Sequence, residues 1–247
     1  MSREPILRPG ERVDDLERKG YRIIQNPSAF CFGMDAVLLS GFARVEPGER
    51  VLDLGTGTGV LPILMEARYG AGHYTALELQ PEMAEMASRS VELNDLSSKI
   101  TVVCGDFGNA SEQMGKAAWD VVTSNPPYMK AGGGLVNPDP LKASARHETT
   151  ATLEDLIRET ARLLKPCGRF YLVHRPQRLS EILALLRSSK LEPKRLRLVH
   201  PFLNEEANLV LIESVRGGNV WMKAEPPLIV YEQPGVYTEE IRRIYYD

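Results

Sequence analysis

A short apolar run, Val51-Leu52-Asp53-Leu54, leads directly into Gly55-Thr56-Gly57-Thr58-Gly59 and then into Val60, Leu61, Leu64 and Met65. Few folds accept such a junction. The run reads as a buried strand, and the residues after the glycines recur at helical spacing. The glycines let the chain turn sharply and let a ligand approach with no Cβ in the way. Strand, glycine turn and helix in that order form the nucleotide-binding corner of an α/β sheet.

The alternation continues downstream. Tyr74–Leu79, Ile100–Cys104, Trp119–Thr123 and Arg169–Val173 read as strands. Pro81 suits a helix start, and Met83, Met86, Ala87 and Val91 give that helix one apolar face. Thr152 with Asp155 three residues on has the form of a capping box, opening a helix through Leu153, Leu156, Ile157, Thr160, Ala161 and Leu164 that Pro166-Cys167-Gly168 stops. Leu179, Ile182, Leu183 and Leu186 mark another helix. Two late strands, near Leu196–Val199 and Leu209–Glu213, have almost no helix between them and predict a C-terminal antiparallel hairpin. The expected fold is α/β: a doubly wound, mostly parallel, seven-stranded sheet covered on both faces. Residues 1–48 read as an N-terminal arm and a helical segment capped by Asp35; residues 49–247 read as the main domain. Tyr21 to Phe32 reads as extended, with a turn near Asn26-Pro27-Ser28.

Ligands of such sheets sit beyond the carboxyl ends of the strands. Asp53 and Glu78 end two strands, and Gly105-Asp106-Phe107 ends the next. The glycine spacing is GxGxG, which differs from the dinucleotide pattern. A carboxylate just before the loop repels pyrophosphate and attracts an ammonium group. An acidic residue about 20 positions after the loop suits ribose hydroxyls. This arrangement resembles motif I of the class I S-adenosylmethionine methyltransferases. The resemblance implies S-adenosylmethionine as cofactor, held by Asp53, Gly55, Thr56, Gly57, Gly59, Glu78, Leu79, Asp106, Phe107 and Asn125. Asp106 would meet the adenine amine.

Ser124-Asn125-Pro126-Pro127-Tyr128 follows the fourth strand. Two prolines stiffen the loop and remove two amide donors, so it offers carbonyls. The Asn125 side-chain oxygen and the Pro126 carbonyl can both accept from one NH2 group, which turns the nitrogen lone pair outward. Tyr128 offers a face for a planar group. Asn125, Pro126, Pro127 and Tyr128 are therefore the candidate catalytic residues, and they resemble motif IV of the amino-methyltransferases.

Phe32-Gly33-Met34-Asp35-Ala36-Val37-Leu38-Leu39, Arg146-His147-Glu148, His174-Arg175-Pro176 and Glu206–Glu213 resemble segments of the bacterial tRNA(Val) adenine-37 N6-methyltransferases. That resemblance implies methylation of an adenine N6 in a tRNA anticodon loop. Substrate contacts are expected of Phe32, Arg146, His147, Arg175, Arg195 and Arg197, the arginines because residues 141–200 carry a local positive balance. Protein glutamine N5-methylation of release factors, rRNA guanine-N2 methylation and non-catalytic RNA binding are the alternatives. About fifty residues precede the motif I strand, too few for the helical N-terminal domain of the glutamine enzymes.

The net charge of −3 argues against a wholly basic nucleic-acid binder, yet residues 141–200 hold 13 Lys/Arg against 6 Asp/Glu, enough for one basic face. Arg178 and Lys194 belong to that stretch. Arg146 and His147 either meet phosphate or cap the helix at Thr152. Gly132-Gly133-Gly134 is either a lid or a surface turn, and Phe30 and Phe32 either wall the pocket or pack. Cys31, Cys104 and Cys167 are widely spaced and form no CxxC, and the four histidines lack ligand spacing, so neither a disulfide framework nor a metal site is expected. No apolar run reaches the roughly 18 residues of a membrane span. A cytoplasmic enzyme follows.

Overall fold

The computed structural model describes residues 7–28, 31–70, 72–128 and 151–246. The chain opens with β1 (Arg12–Asp15) and β2 (Arg22–Gln25), paired antiparallel. The expected arm is thus partly a hairpin. Its two strands have four residues each, and β1 is polar, so neither carries a readable periodicity. Ile23 and Ile24 of β2 are fully buried. Helix α1 (Met34–Phe42) follows, with Gly33 at its N-cap position. The expected cap, Asp35, lies inside the first turn, where its Oδ1 accepts from the Ala36 amide at 2.9 Å.

From β3 onward the strand–helix alternation holds. β3 (Arg50–Leu54) leads to α2 (Val60–Tyr69), β4 (His73–Glu78) to α3 (Pro81–Leu93), and β5 (Ile100–Cys104) to the short α4 (Ala110–Met114). Then come β6 (Trp119–Ser124), α5 (Leu153–Leu163), β7 (Leu164–His174), α6 (Leu179–Ser188), β8 (Leu191–His200) and β9 (Leu209–Arg216). The Thr152–Asp155 capping box opens α5. Pro166-Cys167-Gly168 does not end that helix. Leu164 already has extended backbone and pairs with Trp119, and the proline and glycine form a bulge inside β7, where Cys167 has φ +63°.

The main strands run in the order β5-β4-β3-β6-β7-β9-β8. Strands β3 to β7 pair in parallel, and β9 is antiparallel to both β7 and β8. The expected seven strands are all present. Two short strands extend the sheet to nine: β10 (Lys223–Ala224) and β11 (Leu228–Ile229), both parallel to β8 at its outer edge. β12 (Tyr231–Gln233) and β13 (Val236–Tyr237) form a small hairpin before α7 (Glu239–Tyr246).

Alternate residues of each strand feed opposite cores, as the period of two requires. Val51, Val121, Tyr171, Val173, Leu209 and Leu211 pack with α1, α2 and Ile241 of α7. Leu52, Leu54, Val122, Phe170, Leu172, Val210 and Ile212 pack with Leu156, Ile157, Ile182 and Leu186 of α5 and α6. Strand order reverses about β3, so the carboxyl ends of β3, β4 and β6 form the crevice that accepts ligands in open α/β sheets.

Candidate active site

Three tethers shape the cofactor side of the crevice. Gly55 N and Thr56 N donate to the Leu77 carbonyl at 2.9 and 3.0 Å, which folds the glycine loop over β4. Gly57 N donates to Glu78 Oε2 at 2.8 Å, while Gln80 N donates to Glu78 Oε1 at 3.0 Å. Thr123 Oγ1 donates to Asp53 Oδ1 at 2.7 Å, tying β6 to β3. Gly55, Gly57 and Gly59 all have positive φ, so the turn needs residues without a Cβ. A Cβ on Gly59 would stand 3.2 Å from that of Ala87 on α3, whereas a Cβ on Gly55 would meet nothing within 4 Å. One glycine serves packing; the other faces open space.

Asp53 is buried, and burial lifts its pKa from 3.8 to about 6; the Thr56 and Thr123 hydroxyls pull it back and Glu78 pushes it further up. Glu78 is buried at the end of β4. Asp106 lies two residues beyond β5 and caps the turn that follows, its Oδ1 accepting from Gly108 N at 2.8 Å, and Phe107 is buried beside it. Leu79 is half-buried at the mouth. The residues expected to hold S-adenosylmethionine are therefore brought to adjacent strand ends. They fit a cationic nucleoside: a carboxylate-rich rim repels phosphate, the turn leaves room above Gly55, and the buried Thr58 Oγ1 has no hydrogen-bond partner among the described residues.

Ser124 Oγ donates to the Leu54 carbonyl at 2.8 Å, so the loop after β6 is pinned to the end of β3. Asn125 is half-buried, Pro126 buried and Pro127 exposed. The Tyr128 hydroxyl lies within donating distance of two acceptors, Asp35 Oδ2 at 2.6 Å and Asn125 Oδ1 at 2.7 Å. Burial and then the Asp35 charge push the phenol far above its ordinary pKa, and it stays protonated. The Arg175 guanidinium lies 4.9 Å from the Tyr128 ring centroid and donates to the Asn208 carbonyl at 2.9 Å. One face of the ring expected to stack on substrate thus carries an arginine. The His174 ring lies 5.2 Å away, fully buried; its Nδ1 accepts from Arg175 N at 2.7 Å, and burial drives its pKa down to about 4. Phe32 is half-buried, and its amide donates to Gln25 Oε1 at 2.8 Å.

The expected basic face differs from what the structure contains. Arg195 is tied to Glu213, to Glu225 at 3.1 Å and to the Phe42 carbonyl at 2.8 Å, and it lies over the Phe42 ring at 4.2 Å. Arg197 makes a bidentate pair with Glu240 at 2.7 and 2.8 Å and donates to the Pro226 carbonyl. Both side chains are only 15% exposed. They cross-link the fold, and both guanidinium groups are engaged by the chain's own carboxylates and carbonyls. Arg178 is paired with Glu181, and Lys194 donates to the Asn219 carbonyl. Arg146, His147, Phe30 and Gly132–Gly134 lie outside the described residues.

Sequence reasoning missed Asp35 and the surface cavity beside Arg175. That cavity, of about 630 Å³, is lined by Arg175, Gln177, Pro201, Glu205, Glu206, Ala207 and Asn208. The signal existed, since both lie in segments already singled out. Their meeting with Tyr128 and Arg175 is tertiary. Among the described residues no group of His, Cys, Asp and Glu is arranged to hold a metal ion, and no helix is long and apolar enough to cross a membrane.

A family model described as the methyltransferase small domain matches residues 21–189. The chain is 30% identical over 241 residues to the tRNA1(Val) (adenine(37)-N6)-methyltransferase of Porphyromonas gingivalis, covering 94% of this chain and 93% of that protein. The Bacteroides fragilis protein of the same name is 34% identical over 155 residues, covering 63% and 64%. Among solved structures, a predicted O-methyltransferase from Agrobacterium tumefaciens superposes with a TM-score of 0.70 at 27% identity, over 86% of this chain and 95% of that one. A geranyl diphosphate methyltransferase solved with S-adenosylmethionine gives 0.54 at 15% identity, over 74% and 84%, and shares the fold.

Proposed function

The chain belongs to the methyltransferase small-domain family, and from that premise we propose that it methylates the N6 amine of an adenine in tRNA, in the anticodon loop at the position its named relatives modify. It is an S-adenosylmethionine-dependent methyltransferase. The observation that carries the substrate reading is the Asn125-Pro126-Pro127-Tyr128 loop, pinned to the end of β3 beside the glycine turn, in a chain aligned almost end to end with tRNA adenine-N6-methyltransferases.

When bound, S-adenosylmethionine supplies an electrophilic methyl group on a sulfonium, whose thioether leaves with the electrons of the broken S–C bond. Asp53, Glu78 and Asp106 would hold its ammonium, ribose and adenine groups, with Gly55 and Gly57 giving it room. Asn125 Oδ1 and the Pro126 carbonyl accept the two hydrogens of the target NH2, which aims its lone pair for an in-line attack. The new N–C bond leaves the nitrogen cationic, and it then gives up a proton, so no strong base is needed. Arg175, whose guanidinium lies against the Tyr128 ring, supports the reading as a basic residue beside the loop.

The test is methyl transfer from labelled cofactor to total tRNA, followed by nucleoside mass spectrometry. N6-methyladenosine from an anticodon-loop fragment is the expected product. Label in a release factor, with none in tRNA, overturns the substrate assignment.

A further inference from the structure

Tyr128 Oη has two acceptors within hydrogen-bond distance, Asp35 Oδ2 at 2.6 Å and Asn125 Oδ1 at 2.7 Å. A phenol owns one hydrogen, and a carboxylate offers none. The hydrogen is therefore committed to Asp35, at the shorter of the two distances. The lone pairs of Oη are then left against Asn125 Oδ1 with no hydrogen between the two oxygens, and only Nδ2, turned into that place, can answer them. The two ends of an amide exchange places by a half-turn.

We propose that Asp35 is a positioning residue for methyl transfer: acting through the Tyr128 hydroxyl, it holds the Asn125 amide with Nδ2 on the phenol and Oδ1 turned away from it, available to the substrate amine. This rests on the amine clamp set out under the proposed function. Remove the carboxylate and the phenol's hydrogen goes to Asn125 Oδ1. The acceptor is then consumed, and the amide presents NH2 to a substrate NH2, donor against donor.

The carboxylate is held in place from several sides. Its Oδ1 accepts from Ala36 N at 2.9 Å. A Cβ at Gly33 would stand 2.9 Å from that same oxygen, closer than side chains tolerate, so glycine keeps the space open. The preceding Phe32 amide is anchored to the buried Gln25, itself bonded to Asp14 of β1. The N-terminal hairpin thus braces the segment that presents Asp35. His174 and Arg175 flank the Tyr128 ring and hold the phenol between α1 and the catalytic loop.

A double-mutant cycle tests the relay, run at saturating substrate on tRNA and on a release factor and scored on whichever accepts label. Failure of the substrate reading then leaves the relay measurable. Asp35→Ala is expected to lower kcat about ten- to a hundred-fold, the usual loss when a group that orients a working ligand is removed. Its KM and cofactor Kd should stay as in the wild type, whereas a merely structural role would move them. In a Tyr128→Phe background, where no hydroxyl remains to orient, Asp35→Ala should cost nothing further. Asp35→Asn keeps the side-chain volume; its amide can meet the phenol as donor or acceptor, so it should lose less than Asp35→Ala. Wild-type kcat in both Asp35 variants overturns the relay, as does an undiminished Asp35→Ala loss in the Tyr128→Phe protein.

Discussion

Asn125 and Asp53 show how the ends of two neighbouring strands, β6 and β3, can hold residues with opposite needs. Asn125 must keep an oxygen available, and its neighbours Ser124 and Pro126 fix the backbone that presents it. Asn125→Ala is expected to lower the methylation rate by about 10² to 10³, the scale of one lost electrostatic contact to the reacting group. Cofactor affinity by calorimetry should fall far less than the rate, since Asn125 is one of many residues expected to hold the cofactor. Asp53 instead stores a cost. It keeps its proton up to about pH 6 in the folded chain but only to about 4 when unfolded, so the folded state holds more protons in that window and loses stability as pH rises through it. Asp53→Asn, which can still accept from Thr123, should stabilise the protein at pH 7 by up to about 3 kcal/mol. The gain should vanish near pH 4, and cofactor binding should weaken. Urea midpoints at the two pH values check the sign. A cost of this kind suits a residue kept for a cationic ligand.

At the scale of elements, the alternation from Val51 to Val173 was legible from apolar strand runs and helical periods, although the short α4 went unread and the stop expected at Pro166–Gly168 proved to be a bulge in β7. So were the strand-end carboxylates and the loop at Asn125, which follow from strand positions. Three things were not. Strand β1 is too short and too polar to show a pattern, although β2 lies within the stretch Tyr21 to Phe32 that reads as extended. Asp35 looked like a cap because capping is the local reading of an aspartate before an apolar helix, while its phenol partner stands 93 residues away. Arg195 and Arg197 looked like free cations because a charge count sees the cations and not the distant Glu213, Glu225 and Glu240 that neutralise them. Arg195 joins α1, β9 and the segment before β11, so Arg195→Ala strands two carboxylates in a crowded, mostly dry place. It should cost about 3 kcal/mol or more in urea unfolding. The salt dependence of RNA affinity should stay as in the wild type.

For the whole molecule, the target base must reach a crevice at strand ends, and a base inside a duplex cannot do so without leaving its stack. Methylation should therefore proceed on an adenine in an anticodon stem-loop and fail when the same adenine is locked into a longer stem; equal rates on both would refute a loop substrate. Whatever part of the affinity comes from phosphate contacts should weaken as salt is raised. The extremes of the described chain also meet. Arg18 donates to the carbonyls of Arg243 and Ile244 at 3.4 and 3.3 Å, and Arg68 of α2 reaches the same Ile244 carbonyl. A Cβ on Gly41 of α1 would come within 3.0 Å of Ile244. Synthesis delivers these partners in the least convenient order. At about 5–20 residues per second, the first helix waits many seconds for the last one to leave the ribosome. Until then the face of α1 around Gly41 lacks part of its cover. Nascent chains arrested with α7 still in the exit tunnel should be cut readily by protease, and should become resistant only after release.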